Sequence, residues 1–370
     1  MVWTRPGSRR PLTEGELLDL DKTPDDKLGE RFPDHARNWL RELKRGRRDG
    51  PETEEGYHVK GRSILKDGEG NVKLEWVKTS KDREDALKAL RAHAEALGRK
   101  IVIPRVATPK RGRSDLVAVY PMGDPHFGMY AAARESGEDF NLKVAERNLV
   151  AAVDHLVDLA PPAETALIAN LGDFVHSDNF QNRTARSGNA LDVSNRWNEV
   201  FEIGIEAMRR CIDRALAKHR RVIVVIKMGN HDDHTSIAIA VCLKLAYRDN
   251  PRVEVSTDPL AYHYFRFGKV LVGIAHGHNC KADQLGQIMA ADRAKDWGET
   301  LFRYWLVGHL HHDWALKESY GCKAEGFRTL APRDAYTTAA GYRAGRDMKC
   351  IVYDREHGEV LRHTVGVGML

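Results

Sequence analysis

The pattern of apolar and polar positions divides the chain into two regions. From residue 109 onward, short apolar runs alternate with longer stretches whose apolar residues recur at helical spacing. The runs that we expect to be strands are 116–120, 165–169, 222–226, 264–267, 270–275 and 304–307. The stretches that we expect to be helices lie near 141–159, 197–217 and 235–248. This order predicts an α/β region that ends rich in strands, with two packed sheets and helices outside them.

Residues 1–108 have a different pattern and are expected to form a smaller, mostly helical module. Two short helices are predicted, the first after the capping sequence Thr23-Pro24-Asp25-Asp26 and the second, which is basic, over 34–45. The expected strands of a following hairpin are 57–64 and 72–78, and the expected amphipathic helix is 81–97.

Two short helices followed by a hairpin are similar to a winged helix-turn-helix, whose second helix lies in the DNA major groove. Arg37 and Arg41 are therefore candidate DNA contacts; the alternative is a charged helical hairpin that packs on the rest of the chain. Residues 1–115 contain 27 Lys+Arg and 21 Asp+Glu, a net charge of +6, whereas the whole chain has +5. A module that meets a polyanion has this composition, and so does a solvated charged face.

The composition narrows the compartment and the kind of site. The five cysteines are scattered and form no Cys-x-x-Cys pair, which fits a reducing cytoplasm and argues against a structural cysteine–zinc site. No run approaches the roughly 18 apolar residues that a membrane-spanning helix needs. We therefore expect a cytoplasmic protein that does not act at a membrane.

Residue types that bind metals follow five of the apolar runs. The stretches are Gly123-Asp124-Pro125-His126, Gly172-Asp173, Gly229-Asn230-His231-Asp232, His276-Gly277-His278 and Gly308-His309-Leu310-His311. Each stretch alone is a weak signal, because a single histidine is more often a core residue than a ligand. Five in succession predict that Asp, Asn and His side chains meet on one rim of the sheets. We infer a metal site at that rim.

This ordered set resembles the calcineurin-like metallophosphoesterase family over residues 116–370. The resemblance implies a four-layer α/β/β/α sandwich with two mixed sheets and a two-metal centre. The implied ligands of the first metal are Asp124, His126 and His311. Those of the second metal are Asn230, His276 and His309, and Asp173 would bridge both ions.

Carboxylate, amide oxygen and imidazole ligands suit divalent cations at the border of hard and soft. We expect Mn²⁺, with Fe, Zn²⁺ or Mg²⁺ as alternatives. Two such ions can bind a phosphate and lower the pKa of a water that attacks phosphorus. In the family's pattern His231 protonates the leaving oxygen, a task that imidazole performs near neutral pH. Asp232 either orients His231 or caps the next helix.

The sequence Gly172-Asp173-Phe174-Val175-His176 is similar to the Gly-Asp-Leu-Phe-His of the Mre11/SbcD nuclease branch, where the histidine lies near the substrate phosphate. It differs from the Gly-Asp-x-x-Asp-Arg-Gly of phosphoserine/threonine phosphatases. His176 is therefore a substrate-side candidate, or else a structural histidine behind the ligands. In the polar segment that follows, Arg183 and Arg186 are candidate phosphate contacts, with a solvated surface loop as the alternative.

These features predict a divalent-metal phosphodiesterase that acts on DNA. The winged-helix-like module in front of such a domain also resembles phage-encoded nucleases, in which case the host cytoplasm is the compartment. Two alternatives remain: an enzyme for nucleotides or RNA ends, and a non-catalytic DNA-binding or packaging protein. Members of the Mre11 branch often pair with an ATPase, and the sequence decides neither such a partner nor a homo-oligomer.

Overall fold

The structure is a computed structural model of the chain. It describes residues 16, 19–20, 22–33, 40–41, 44, 57–66, 72–81, 83–184, 188–315, 318 and 321–370, with the backbone alone at 29, 57–66, 72–81, 83–86 and 336. By its internal contacts the chain divides into two compact units, residues 1–86 and 87–370. Within the described residues, every helix is too short or too polar to cross a bilayer.

The first unit contains a short helix and a hairpin. Helix α1 is Leu28–Arg31, and strands β1 (Tyr57–Lys66) and β2 (Val72–Lys81) pair in antiparallel register, as predicted. Most of the basic helix predicted over 34–45, including Arg37, lies outside the described residues. Its helix-turn-helix role therefore stays a prediction.

Helices and strands alternate through the rest of the chain. The helices are α2 Arg83–Lys100, α3 Ala133–Ser136, α4 Leu142–Leu159, α5 Trp197–Lys218, α6 Thr235–Ala246, α7 Leu285–Asp292, α8 Ala294–Glu299 and α9 Ala335–Ala339. The strands are β3 Arg113–Met122, β4 Ala163–Asn170, β5 Arg221–Ile226, β6 Val253–Val255, β7 His263–Phe267, β8 Val270–Ala275, β9 Phe302–Val307, β10 Trp314–Ala315, β11 Cys322–Gly326, β12 Asp347–Asp354 and β13 Gly358–Gly366. Every strand and helix predicted after residue 109 is present.

Two mixed sheets form the centre of the second unit. The six-stranded sheet has the order β13-β12-β3-β4-β5-β6, with β3 to β6 parallel and β12 antiparallel to β3. The five-stranded sheet has the order β10-β11-β9-β8-β7, in which β8, β9 and β11 are parallel. The parallel strands matter for the site, because their carboxyl ends share a rim.

The sheets pack face to face, and helices cover their outer faces. The contact between the sheets consists of alternate residues from both, including Val117, Val119, Leu167, Val272, Ile274 and Leu306. The intervening residues of the six-stranded sheet, such as Ala118 and Ile168, pack with α4, α5 and α6. Those of the five-stranded sheet, such as Trp305, pack with Leu285 and Met289 of α7. The predicted four-layer α/β/β/α sandwich is confirmed.

A buried histidine joins a helix end to two strands of the six-stranded sheet. His219 follows α5, and its Nδ1 lies 2.8 Å from the carbonyl oxygen of Ala163. Its Nε2 lies 2.8 Å from the hydroxyl of Tyr120, so the neutral ring donates through Nδ1 and accepts through Nε2. Burial lowers the pKa of His219 to about 4. The imidazole is therefore neutral in the folded chain over the physiological pH range.

We predict that this histidine makes stability depend on pH. Its folded pKa lies below the unfolded value, so the unfolded chain takes up a proton first as the pH falls, and stability is lost between about pH 6.5 and 4. The variant His219→Gln does not titrate. Urea unfolding at pH 7.5 and pH 5 should show the wild type losing about 2 kcal/mol more than His219→Gln. Equal losses in the two proteins would contradict the neutral, buried assignment.

Candidate metal centre

Five strand ends meet at one rim of the two sheets. Strands β3, β4 and β5 of one sheet and β8 and β9 of the other lead into the loops that carry the predicted ligands. The structure brings together all seven predicted metal ligands, which are Asp124, His126, Asp173, Asn230, His276, His309 and His311. Their role as ligands stays a prediction; their convergence is a feature of the fold.

Asp173 lies at the centre of one group of donors. Its side chain is buried, and its Oδ2 lies 3.2 Å from Nε2 of His276. The same Nε2 lies 3.0 Å from Oδ1 of Asn230, while Nδ1 of His276 lies 2.9 Å from the carbonyl of Leu171. That carbonyl accepts the Nδ1 proton and leaves Nε2 free to bind a cation. Asp173, His276 and His309 place one donor atom each within 4.8 Å of one another.

Asp124 organises the neighbouring group. Its carboxylate is fully buried and accepts the backbone N–H of His309 at 2.9 and 3.1 Å. Nε2 of His311 lies 4.0 Å from Asp124 and 3.0 Å from Nε2 of His126. Two imidazole nitrogens at that distance, beside a carboxylate, are an arrangement that a cation between them would stabilise.

The charge of Asp173 acts on both groups. It raises the pKa of His276 and opposes the lowering of the pKa of His126, His309 and His311. The negative charge of Asp173 therefore acts on histidines of both groups. Its role as a bridging ligand stays a prediction.

Burial keeps most of these imidazoles neutral. It lowers the pKa of His309 and His311 to about 4 and that of His126 well below its usual value. Neutral imidazole is the form that binds metals. Burial also raises the pKa of Asp124 to about 8, although His276 opposes this. A cation bound at Asp124 would therefore displace a proton near neutral pH.

The backbone is strained at the predicted ligands. Among the described residues, six that are not glycine have a positive φ, and five of them are predicted ligands: Asp124 (42°), His126 (48°), Asp173 (48°), His309 (71°) and His311 (55°). A left-handed residue with a side chain costs about 1–2 kcal/mol. Such strain gathers where function requires a particular side-chain direction.

A glycine allows the loop after β5 to approach the carboxylate. A Cβ at Gly229 would lie 1.9 Å from Oδ1 of Asp173 and 2.3 Å from its backbone nitrogen. No side chain fits there. Because Gly229 has no side chain, the loop can approach Asp173 and bring Asn230 beside His276.

The prediction that Asp232 orients His231 is not what the contacts indicate. The buried carboxylate of Asp232 accepts the backbone N–H groups of Gly229 and of residues 173–175 at 2.7–3.2 Å, and the hydroxyl of Ser236 at 2.6 Å. It therefore joins the loop after β4 to the loop after β5. Asp232 therefore positions the backbone of the ligands. Among the described contacts, its carboxylate accepts no backbone N–H group of α6.

The backbone of His176 orients His231 instead. Nδ1 of His231 lies 2.8 Å from the carbonyl oxygen of His176, so Nδ1 donates and Nε2 is left to exchange a proton. The two rings stack with centroids 5.2 Å apart, and the His126 ring lies 5.0 Å from His231. His176 is itself buried, its Nδ1 lies 3.2 Å from Nδ1 of His126, and its Nε2 has no hydrogen-bond partner among the described residues.

The carboxylate that caps α6 belongs to Asp178, a residue for which the sequence predicted no role. Asp178 accepts the backbone N–H groups of His234 at 3.0 Å and Thr235 at 2.8 Å, at the start of α6. The ion pairs of His234 with Asp178 and Asp233 raise its pKa to about 9. A carboxylate near the first turn of a helix is stabilising, and this one fixes the segment between His176 and α6.

Two further residues near the ligands were also missed. The hydroxyl of Thr329 donates to the backbone oxygen of Asp124 at 2.6 Å and so supports its left-handed conformation. The His278 ring lies 5.1 Å from His276 and 6.1 Å from His309. The His276-Gly277-His278 spacing was a visible signal for His278, whereas the contact of Thr329 spans 205 positions and leaves no local trace.

The candidate substrate contacts are placed only in part. Arg183 is described, and its Nη1 donates to the carbonyl of Gly188 at 2.7 Å within its own loop. Arg41 is exposed in the first unit. Arg186 and Arg37 lie outside the described residues. Phosphate contacts by these arginines stay predictions.

Comparisons with known proteins give weak similarities in structure. No family model matches the sequence, and no curated protein matches it. The chain is similar to a dimetal phosphatase from Danio rerio, with 10% identity and a TM-score of 0.37 over 68% of this chain and 99% of that one. It is also similar to a double mutant of Vps29 from Entamoeba histolytica, with 14% identity and a TM-score of 0.26 over 68% of this chain and 98% of that one.

We predict that removing the Asp232 carboxylate both destabilises the folded chain and weakens its binding of cations. Asp232→Ala leaves four buried N–H groups without their acceptor, which should lower the free energy of unfolding by about 3 kcal/mol or more. Asp249→Ala is the matched control, because that side chain is 87% exposed, and it should change stability by less than about 0.5 kcal/mol. Denaturant unfolding and Mn²⁺ titration measure the two effects. An Asp232→Ala variant as stable as the control would refute the anchoring role.

Proposed function

We propose that the chain is a metal-dependent phosphoesterase, and more specifically a phosphodiesterase that hydrolyses DNA. The observation that carries the proposal is the convergence of two groups of donors at one rim, one formed by Asp173, His276 and His309 and the other by histidines around His126, among them the half-buried His231. Two divalent cations held there would supply charge for a phosphate and lower the pKa of an attacking water. Mn²⁺ is the proposed ion, because it prefers carboxylate and amide oxygens; Fe and Zn²⁺, which imidazole suits, are the alternatives.

The side chains of the protein then account for the proton transfer to the leaving group. Water attacks phosphorus and releases a proton to the bulk solvent, the P–O bond to the leaving group breaks, and the leaving oxygen takes a proton from a side chain. His231 is the proposed proton donor, since the carbonyl of His176 holds its Nδ1 proton and leaves Nε2 for the transfer. The backbone N–H of His231 also donates to Asp173 at 2.9 Å, which keeps the acid beside the donor groups.

Several features favour DNA over a small phosphate ester. Residues 179–191, which follow His176 and Asp178, contain no Asp or Glu, so this loop does not repel a polyanion. The positive charge in residues 1–115 would hold a polymer by its backbone. An enzyme for nucleotides would have no need of the basic region, although the loop would suit a nucleotide phosphate as well.

The direct test uses end-labelled and circular DNA with the purified full-length chain. We expect cleavage with Mn²⁺ and none with EDTA, and attack on circles would identify an endonuclease. Turnover of nucleotides or of bis(p-nitrophenyl) phosphate without any cleavage of DNA would overturn the DNA assignment. Absence of turnover on all of these substrates would overturn the enzyme assignment.

We predict that His231→Ala lowers DNA cleavage by at least about 100-fold while bound Mn²⁺ stays near the wild-type level. The reason is that His231 is proposed to transfer a proton and not to bind the ions. His357→Ala is the control, since that side chain is 77% exposed in the turn between β12 and β13, at the opposite rim. Rate and metal content should be measured on the same preparations. A parallel loss of metal in His231→Ala would make it a ligand and refute the acid role.

A further inference from the structure

An exposed aromatic side chain lies in the loop that follows His176. Phe180 is 83% exposed, the highest value but one among the large apolar residues described as exposed. It stands four positions after His176, so the two Cα atoms are at most about 14 Å apart. Exposing a phenylalanine is unfavourable by the hydrophobic effect, and neither the core nor the metal donors account for it.

Phe180 is the outer member of a fixed series of aromatic rings. Phe201 is buried in the core, and Trp197 stacks on it with centroids 5.0 Å apart and an angle of 12°. Phe180 meets Trp197 edge-on, with centroids 6.3 Å apart at 65°. The contact with Trp197, which itself stacks on the buried Phe201, therefore restricts the motion of the exposed Phe180 ring. A supported ring loses little conformational entropy when a ligand stacks on it.

Hydrogen bonds tie this series to the loop of the candidate acid. The indole N–H of Trp197 donates to Oγ1 of Thr235 at 3.0 Å, and Thr235 is also bonded to Asp178. Asp178 lies between His176 and Phe180 in the chain, and its side chain is only 6% exposed. The exposed ring and the carbonyl that orients His231 therefore belong to one braced segment.

We propose that Phe180 stacks on an unpaired base of single-stranded DNA, next to the phosphate that is cleaved. The inference rests on the proposed DNA phosphodiesterase function and adds the substrate form to it. Bases present a π-face that aromatic side chains bind without regard to sequence. In a duplex that face is covered by neighbouring base pairs, so the stack requires a single strand. The absence of acidic residues from 179–191 suits the approach of the phosphate backbone.

The test compares three substitutions of one residue. Phe180→Trp keeps an aromatic face, Phe180→Leu keeps an apolar side chain without one, and Phe180→Ala removes both. Leu301→Ala is the control, because Leu301 is 61% exposed and precedes β9 at the rim away from the donors. The readout is kcat/KM for a single-stranded oligonucleotide divided by kcat/KM for bis(p-nitrophenyl) phosphate.

We expect this ratio to fall about tenfold or more in Phe180→Leu and Phe180→Ala, the size expected for the loss of one base–aromatic stack. It should stay within about twofold in Phe180→Trp and Leu301→Ala. Oligonucleotides with 2-aminopurine near the scissile phosphate should show quenching that the Leu variant abolishes. A wild type that cleaves DNA, with an unchanged ratio in Phe180→Leu, would overturn this inference alone. A wild type that hydrolyses the small ester but no DNA would overturn the proposed function.

Discussion

The burial of two carboxylates among imidazoles of which most are neutral is the constraint that the rest of the site serves. Asp124 and Asp173 are 0% and 1% exposed, and an uncompensated charge in such a place costs several kcal/mol. Within the chain alone, burial raises the pKa of Asp124, whereas at Asp173 His276, His231 and His126 together outweigh burial and lower the pKa. Both acids thus depend on the positive charge of the same neighbouring histidine, His276. Divalent cations would satisfy both, which is the physical case for a metal centre here.

The loops accept strain because other contacts hold them. The left-handed backbone of Asp124 and His309 is supported by the hydroxyl of Thr329 and by the N–H bond from His309 to Asp124. The left-handed Asp173 is held by the carboxylate of Asp232. Strong parallel strands, packed on both faces, carry these loops. Stability in the sheets therefore compensates for strain at their rim.

The strands and the convergence of the donors could be predicted because both depend on local patterns. An apolar run such as Val222 to Ile226 predicts a buried strand, and a donor just after it must lie at the strand's end. Strand limits were less predictable: β3 begins at Arg113, where polar residues still pair with the neighbouring strand. The role of Asp232 could not be predicted either, since the partners that it joins to the loop after β5 lie almost 60 positions away. Hydrogen bonds between distant loops leave no periodic signal in a sequence.

Metal content tests the central claim most directly. The full-length chain, loaded with Mn²⁺ and freed of excess ion, should contain about two ions per chain by elemental analysis. Asp173→Ala should retain less than about one, because Asp173 is the carboxylate of one donor group and the proposed bridge to the other. A wild type without bound metal, or an Asp173→Ala variant with the same content as the wild type, would contradict the account.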